Sequence, residues 1–282
     1  MNIMICGSGT MGRGIALISI LSGHRAILFD NNQEALQQAQ LFIEAQLKKT
    51  LDKGTIQRVT YEECSTKCSY SNDISEYVSS ADIIIEAIIE SLEIKEQLFS
   101  SIEQSGLRND AILATNTSSL SVNVLSKNRK YPHHFIGLHF FNPAHLMKLV
   151  EIIKTPITNE QVLQTALEYC TSIKKVPVIA KDVPGFIVNR VARNYYNEAM
   201  RIATEHASHP KQIDTLMKSL GFKMGPFELM DLIGNDVNLE VTKSVAAQYF
   251  NEPRFTPSLM QQDIVNAGRY GKKSGAGFYE YE

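Results

Sequence analysis

The segment GSGTMGRG at residues 7–14 decides the fold of this chain, because it joins a short apolar run to an amphipathic stretch. The preceding run, NIMIC (2–6), has the composition of a strand buried on both faces. In a strand–loop–helix unit, Gly7 suits the tight turn, Gly9 allows close approach of a pyrophosphate, and Gly12 allows the helix to pack on the strand. A bare packing loop is the alternative, so a second sign of dinucleotide binding is needed.

That sign is Asp30, which follows the apolar run RAILF (25–29) and stands eighteen residues after Gly12. A carboxylate there accepts hydrogen bonds from ribose hydroxyls and repels a 2′-phosphate, which predicts NAD rather than NADP as the cofactor. The free N–H groups at the start of the helix would face the pyrophosphate. The predicted cofactor contacts of the loop are Gly7, Ser8, Gly9, Thr10, Met11 and Gly12.

The first half of the chain continues to alternate between apolar runs and helical patterns. Further strands are predicted at 82–87, 111–115, 135–140, 148–153 and 175–180. One helical face carries Leu36, Ala39, Ile43, Leu47 and Leu51, and another carries Leu92, Leu98, Phe99 and Ile102. Strand–helix alternation of this kind predicts an α/β fold with a doubly wound, Rossmann-like sheet.

After Asp182 the pattern becomes helical and no convincing strand follows. PGF (184–186) is predicted to start a helix, because Pro and Gly punctuate the chain there. One face of that helix carries Ile187, Val191, Tyr195, Ala199 and Ile202. We therefore expect an NAD-binding domain at 1–183 and an all-helical C-terminal domain at 184–282.

Composition excludes several classes of protein. The formal net charge of −2 over 282 residues argues against bulk attraction to nucleic acid or to acidic membranes. The apolar run at 14–23 lacks a basic flank and is too short to span a bilayer, so a cytoplasmic location is expected. Cys6 lies in an apolar run and is expected to be buried in the core. Cys64 and Cys68 have no second Cys/His pair at metal-site spacing downstream, so no metal site is predicted.

Two polar segments follow predicted strands at the edge where such a sheet binds ligands. EAIIESLEIKEQLF (86–99) offers Glu90 and Lys95 as cofactor contacts, although a solvated helix face is equally consistent with it. TNTSSL (115–120) offers Asn116 and Ser118 as neutral hydrogen-bond donors, with a helix cap as the alternative.

The segment GLHFFNPAHLMKLVE (137–151) places His139 inside an apolar run and Glu151 twelve positions later. Taken alone, His139 is a core histidine with one hydrogen bond. An NAD-dependent oxidation of an alcohol, however, needs a base near neutral pH, and a carboxylate on the other ring nitrogen would orient it. If both runs are strands, a turn at Asn142–Pro143 would bring the two side chains together.

Eight segments occur in the same order in the L-3-hydroxyacyl-CoA dehydrogenase family, which the chain closely resembles from residue 7 to residue 279. They are GSGTMGRGIA, EAIIE, TNTSSL, GLHFFNP, MKLVE, PGFIVNR, MGPFEL and GKKSGAGFY. Within the family, the chain resembles the short 3-hydroxybutyryl-CoA dehydrogenase type. The resemblance implies a Rossmann-like domain, a helical domain that forms a homodimer, and an active site in the cleft between them.

The resemblance also implies roles for single residues. His139 would be the catalytic base and Glu151 its partner. Ser118 and Asn189 would contact the acyl-CoA substrate and act in catalysis. Asn142 would line the active site, where it would meet both cofactor and substrate.

Three further residues, Glu90, Lys95 and Lys273, match cofactor contacts of the family. Lys53 falls where a lysine contacts the CoA moiety. Gln46 stands where some relatives carry a serine that assists this lysine, so the resemblance departs from the family pattern at that helix.

The sequence does not decide between two classes of acyl group in the substrate. Residues 224–241 and 252–262 resemble the corresponding segments of enzymes for 3-hydroxybutyryl-CoA and of enzymes for 3-hydroxyadipyl-CoA. A butyryl chain needs a small apolar pocket, whereas an adipyl chain ends in a carboxylate that is costly to bury without a donor. His145, where relatives often carry proline, could supply one, although a solvent-facing histidine is the simpler interpretation. The short chain is favoured.

Two other hypotheses belong to different classes. A dehydrogenase of a small hydroxy acid would not need CoA. A dinucleotide-binding protein without catalysis would not need His139, Glu151, Ser118 and Asn189, and their joint presence argues against it.

Overall fold

The computed structural model describes all residues, 1–282. The chain divides into two compact units, Met1–Asp182 and Val183–Glu282. None of its helices is both long enough and apolar enough to cross a membrane.

The N-terminal unit is built on an eight-stranded sheet. Its strands are β1 Asn2–Cys6, β2 Arg25–Phe29, β3 Cys68–Ser71, β4 Ile83–Glu86, β5 Ile112–Thr115, β6 Phe135–Phe140, β7 Leu149–Lys154 and β8 Val176–Lys181. They lie in the order β3-β2-β1-β4-β5-β6-β7-β8, with β1 to β6 parallel, β7 antiparallel to β6, and β8 parallel to β7. The winding reverses between β1 and β4, and open α/β sheets bind ligands at such a switch point.

Helices connect these strands and bury their apolar faces on the sheet. They are α1 Thr10–Leu21, α2 Gln33–Asp52, α3 Arg58–Ser65, α4 Leu92–Gln104, α5 Val122–Ser126 and α6 Glu160–Ser172. Asn32 caps α2, because its side chain accepts hydrogen bonds from the N–H groups of Glu34 and Ala35. Of the face predicted for α2, the residues Leu36, Ala39, Ile43 and Leu47 are buried. The prediction of a doubly wound, Rossmann-like sheet is confirmed.

Two elements of this unit were not predicted from the sequence. Strand β3, with the sequence CSYS, pairs only with β2 at the edge of the sheet. An edge strand has one exposed side and needs no apolar run, so hydrophobic periodicity does not detect it. Helix α3 exposes most of its residues and buries only Cys64, which leaves it without an apolar face.

The C-terminal unit is helical, as predicted. Its helices are α7 Val188–Thr204, α8 Pro210–Ser219, α9 Pro226–Ile233, α10 Asn235–Gln248 and α11 Leu259–Asn266. The helix expected to start at PGF begins at Val188, because Gly185 and Phe186 have φ angles of +75° and +45° and form a turn. The face predicted for this helix was wrong at its start, since Ile187 and Val191 are 40% and 63% exposed. The buried apolar residues of α7 are Tyr196, Ala199, Met200 and Ala203.

Candidate active site

The glycine loop between β1 and α1 has the close packing that its sequence requires. Gly7 has φ +109°, and a β-carbon there would lie 2.5 Å from the carbonyl oxygen of Ala87. A β-carbon on Gly12 would lie 1.7 Å from the carbonyl oxygen of Gly7. A β-carbon on Gly9, in contrast, would have no heavy atom within 4 Å. The loop is therefore closed towards the sheet at Gly7 and Gly12 and open at Gly9, at the N-terminus of α1, where a dinucleotide phosphate fits.

Asp30 lies beside this loop at the end of β2. Its Oδ2 accepts hydrogen bonds from the N–H and from the hydroxyl of Ser8, both at 2.8 Å. Oδ1 accepts a bond from the N–H of Asn32 at 3.0 Å. These bonds hold a carboxylate next to the phosphate loop, in the position where it can meet an adenosine ribose.

A buried charge cluster links the ends of β4 and β5. Lys95 Nζ lies 2.5 Å from Glu86 Oε1 and 3.1 Å from Glu90 Oε2. Thr115 donates its hydroxyl to Glu86 at 2.6 Å, and the N–H of Ile88 donates to the same carboxylate at 2.8 Å. Burial raises the pKa of Glu86, and Lys95 and the hydrogen bonds offset only part of that rise.

Glu90 organises the turn after β5. Its Oε1 accepts hydrogen bonds from the Thr117 hydroxyl at 2.6 Å and from the N–H groups of Ser118 and Ser119 at 2.9 and 3.0 Å. Burial works to raise the pKa of Glu90, but the charge of Lys95 and these donors outweigh it and lower the pKa. Lys95 itself is 1% exposed, so the structure places it behind the two carboxylates rather than on the surface of the site.

His139 and Glu151 meet across the antiparallel pair β6–β7. They occupy directly opposite positions in the register, and His139 Nδ1 lies 2.8 Å from Glu151 Oε2. Both side chains are nearly fully buried. Asn142 and Pro143 begin the connection between the two strands, joined by a cis peptide bond, and Asn142 is exposed.

Asn116, which follows β5, has a structural partner. Its side-chain oxygen accepts a hydrogen bond from the N–H of Phe140 at 2.8 Å, which ties the end of β5 to the end of β6. Lys53, at the C-terminal end of α2, is exposed. His145 is half-buried, and its ring packs edge-on against Phe42 of α2 with the centroids 5.5 Å apart. It is therefore not the freely solvated loop histidine that the sequence favoured.

Two predicted site residues belong to the C-terminal unit. Asn189 lies in the first turn of α7 and is half-buried. Lys273 pairs with Asp236 at 2.6 Å, and its side chain remains 46% exposed.

Sequence reasoning missed two members of the site, Glu86 and Thr117. Glu86 closes an apolar strand and is fully buried, and Thr117 gives its hydroxyl to Glu90. The available signal was a charged residue directly at the end of a run that is otherwise buried on both faces, since an acid there needs a partner.

These features together define a class of protein: a Rossmann-type, NAD-binding oxidoreductase. The profile of the 3-hydroxyacyl-CoA dehydrogenase NAD-binding domain matches residues 2–183, and that of the 3-hydroxyacyl-CoA dehydrogenase C-terminal domain matches residues 185–281. The chain belongs to the 3-hydroxyacyl-CoA dehydrogenase family, whose enzymes oxidise their substrates with NAD.

Similar proteins agree with this assignment. The 3-hydroxyadipyl-CoA dehydrogenase of Escherichia coli K12 is 43% identical over 99% of this chain, which spans 58% of that protein. The 3-hydroxybutyryl-CoA dehydrogenase of Clostridioides difficile is 36% identical over the whole chain and is covered to 99%. The crystal structure of a 3-hydroxybutyryl-CoA dehydrogenase from Escherichia coli K12 superimposes with a TM-score of 0.96 at 42% identity, covering 100% of this chain and 59% of that one.

Proposed function

We propose that this chain interconverts a short-chain L-3-hydroxyacyl-CoA and its 3-oxoacyl-CoA with NAD, using His139 as the base and Glu151 as its partner. The observation that carries the proposal is the buried contact of 2.8 Å between His139 Nδ1 and Glu151 Oε2. Histidine titrates near neutral pH, so it can take a hydroxyl proton and later return it.

Three side chains have separate roles in the proposed reaction. When NAD is bound, its nicotinamide supplies the acceptor for the hydride that leaves C3 of the substrate. His139 takes the proton of the C3 hydroxyl, at Nε2, because Nδ1 faces the carboxylate. Glu151 orients the ring and stabilises the imidazolium that forms. Ser118, in the turn that Glu90 organises, donates a hydrogen bond to the substrate oxygen.

Other parts of the proposal rest on the resemblance to the family. Asn189 and Asn142 are proposed substrate contacts, and Lys53 a proposed contact to CoA. Lys273 is a proposed cofactor contact.

The direct test is the absorbance of the nicotinamide when acetoacetyl-CoA and NADH are mixed with the protein. We expect NADH consumption by the wild type and by His133→Gln, since His133 is exposed and outside the site. His139→Gln should consume NADH far more slowly. No consumption by the wild type would refute the proposed activity, and near-native turnover of His139→Gln would refute its mechanism.

A 3-hydroxyadipyl-CoA is the second candidate substrate, favoured by the 43% identity to the E. coli enzyme of that name. Measuring kcat/KM for 3-hydroxybutyryl-, 3-hydroxyadipyl- and 3-hydroxyhexadecanoyl-CoA distinguishes the two candidate substrates. We expect the butyryl substrate to be preferred. A strong adipyl preference that His145→Ala abolishes would establish the second candidate, and a preference for the long chain would contradict both.

We also propose a homodimer formed through the C-terminal unit, in the cytoplasm. Phe186 and Phe227 are buried within that unit, but Val191 and Leu232 remain 63% and 51% exposed. Exposed apolar side chains of this size are typical of protein interfaces when they form a patch. Light scattering at micromolar concentration should give twice the mass of the chain, and a monomeric mass would contradict the dimer.

A further inference from the structure

The turn between β5 and α5, which carries Ser118, is held by side-chain oxygens. The N–H groups of Ser118 and Ser119 bond to Glu90 at 2.9 and 3.0 Å. The N–H group of Leu120 bonds to the Thr117 hydroxyl at 2.9 Å. Because side chains rather than a regular backbone ladder accept these bonds, the position of Ser118 depends on the residues that supply the oxygens.

Asp182 holds the other end of this turn. Its Oδ2 accepts hydrogen bonds from the Ser121 hydroxyl and from the N–H of Asn123, both at 2.7 Å. Its Oδ1 accepts a third bond from the N–H of Val122 at 3.1 Å. The first N–H groups of a helix have no partner within the helix, so a carboxylate from a distant segment here caps the start of α5.

Helix α5 also packs beside the strand that carries His139. Val122 and Leu125 are fully buried, and a β-carbon on Gly137 would lie 3.0 Å from Cγ2 of Val122. Gly137 and His139 are two residues apart on β6, so they share one face of the sheet. The placement of α5 therefore affects where the turn of Ser118 lies relative to the strand of His139.

The two carboxylates that hold the turn have different further contacts. Glu90 pairs with Lys95 at 3.1 Å and is a proposed cofactor contact. Asp182 forms no salt bridge, and its carboxylate contacts the segment 121–123. Asp182 is the last residue of the N-terminal unit, so these contacts lie within that unit. A substitution of Asp182 thus changes the turn without removing a proposed cofactor contact.

We infer that Asp182 is a positioning residue for the proposed reaction. It fixes the start of α5 and thereby holds the Ser118 hydroxyl where it can donate to the substrate oxygen. This inference rests on the proposed function, which gives Ser118 that contact. A displacement of about 1 Å in a group that binds the reacting atoms can cost up to about 10²-fold in rate.

The test compares the wild type with Asp182→Ala, Asp182→Asn, Ser118→Ala and the double variant Ser118→Ala/Asp182→Ala. Acetoacetyl-CoA and NADH are the substrates, and kcat, both KM values and the thermal midpoint are measured. Asp82→Ala is the matched control. Asp82 is also half-buried and accepts a backbone N–H, that of Asn2 at 2.8 Å, but it precedes β4, at the end of the strand opposite to the site.

Ser118→Ala should lower kcat about 10- to 100-fold, because it removes a hydrogen bond to an oxygen that gains charge. Asp182→Ala should lower kcat about tenfold through the displaced hydroxyl and leave the KM for NADH unchanged. Asp182→Asn retains one oxygen for the donors and should lose less. The double variant should lose no more than Ser118→Ala, since Asp182 acts through Ser118. Asp82→Ala should lower the thermal midpoint and keep kcat per folded molecule.

Amide hydrogen exchange reports the turn without any turnover. The amides of residues 118–123 should exchange faster in Asp182→Ala than in the wild type, and at the wild-type rate in Asp82→Ala. Unchanged exchange there would refute the hold on the turn. Faster exchange with a normal kcat, or additive losses in the double variant, would refute the positioning of Ser118. If the wild type turned over no acyl-CoA but exchange still rose in Asp182→Ala alone, only the proposed function would fail.

Discussion

The two units of this protein surround their acidic side chains with different partners. In the N-terminal unit, His139 lies against Glu151, and Lys95 lies between Glu86 and Glu90, so titratable groups are paired with each other. In the C-terminal unit, the buried Asp231 has no cationic partner. It accepts hydrogen bonds from the N–H groups of Phe278 and Tyr279, the Tyr281 hydroxyl and the Asn235 amide.

The buried Asp214 follows the second pattern. It accepts bonds from the N–H groups of Phe227 and Glu228 and from the Tyr279 hydroxyl. Both aspartates therefore hold the C-terminal segment on the helices. A buried charge alone does not indicate a site. Paired titratable groups at the carboxyl ends of sheet strands do, because they can exchange protons or meet a ligand, whereas an acid enclosed by N–H and O–H donors serves the fold.

The largest expected effect concerns the first pattern. His139→Gln should lower kcat about 10²- to 10⁴-fold, the usual contribution of a positioned base, with the affinity for NADH nearly unchanged. Glu151→Gln should also lower kcat, and the double variant should lose little more than His139→Gln, because the carboxylate acts through the imidazole. Steady-state kinetics of the four proteins checks this. Full additivity would mean that the pair does not act as a unit.

Lys95→Met should reduce the free energy of unfolding by about 3–5 kcal/mol, because it leaves the fully buried Glu86 without its cation. The double variant Lys95→Met/Glu86→Gln should recover much of that loss, since neither residue then carries charge. Urea denaturation gives the energies, and the KM for NADH shows whether the turn at Ser118 has moved. A single variant as stable as the wild type would mean that this cluster is not held together by its charges.

Asp231→Asn tests the second pattern. Charge-assisted hydrogen bonds contribute about 1.5–3 kcal/mol each, and the amide presents its own N–H groups to the donors, so a loss of roughly 3 kcal/mol in unfolding free energy is expected. Asp263→Asn is the control, because Asp263 is exposed on α11. Activity per folded molecule should stay near that of the wild type. If the variant had normal stability but a lowered kcat, Asp231 would contribute to the active site rather than to the stability of the fold.

The smallest expected effect is at Asp30. The wild type should show a higher kcat/KM for NADH than for NADPH, because the half-exposed carboxylate repels a 2′-phosphate. Asp30→Asn keeps an oxygen to accept the bonds from Ser8 but removes the charge, and should narrow this preference by about tenfold, in line with a partly screened charge pair. Kinetics with both cofactors decides it, and equal wild-type values would remove Asp30 as the determinant.

Much of the candidate site followed from local sequence. The spacing of Gly7, Gly9 and Gly12 and the acid at Asp30 are features of one strand–loop–helix–strand unit, so nearby residues define them. The pairing of His139 with Glu151 needed only one short connection between two neighbouring strands. In each case the interacting residues are close in the chain, and the neighbouring elements that carry them are joined by short connections.

Other features depended on contacts between segments far apart in the sequence. The segment 86–99 fits a solvated helix face, yet Lys95 is buried, and Thr115 from the next strand completes its cluster by donating to Glu86. Nothing near Arg193 on α7 indicates that it faces the core, where it donates to the Asn238 carbonyl and the Thr242 hydroxyl, both at 2.7 Å. Burial lowers the pKa of Arg193 to about 10. A buried polar residue needs hydrogen-bond partners, and distant segments often supply them. Hydrophobic periodicity does not predict those partners, so it does not predict the burial of the polar residue.

The sequence by itself thus determined the α/β architecture, the change to helices after Asp182, the dinucleotide loop and the identity of the candidate base and its carboxylate. Periodicity and turn chemistry are local and act on each element separately. Only the tertiary structure decided the polar edge strand β3, the burial of Lys95 beside Glu86, and the packing of the His145 ring against Phe42. These depend on how separate elements pack, since distances between side chains of different elements are set by the fold as a whole.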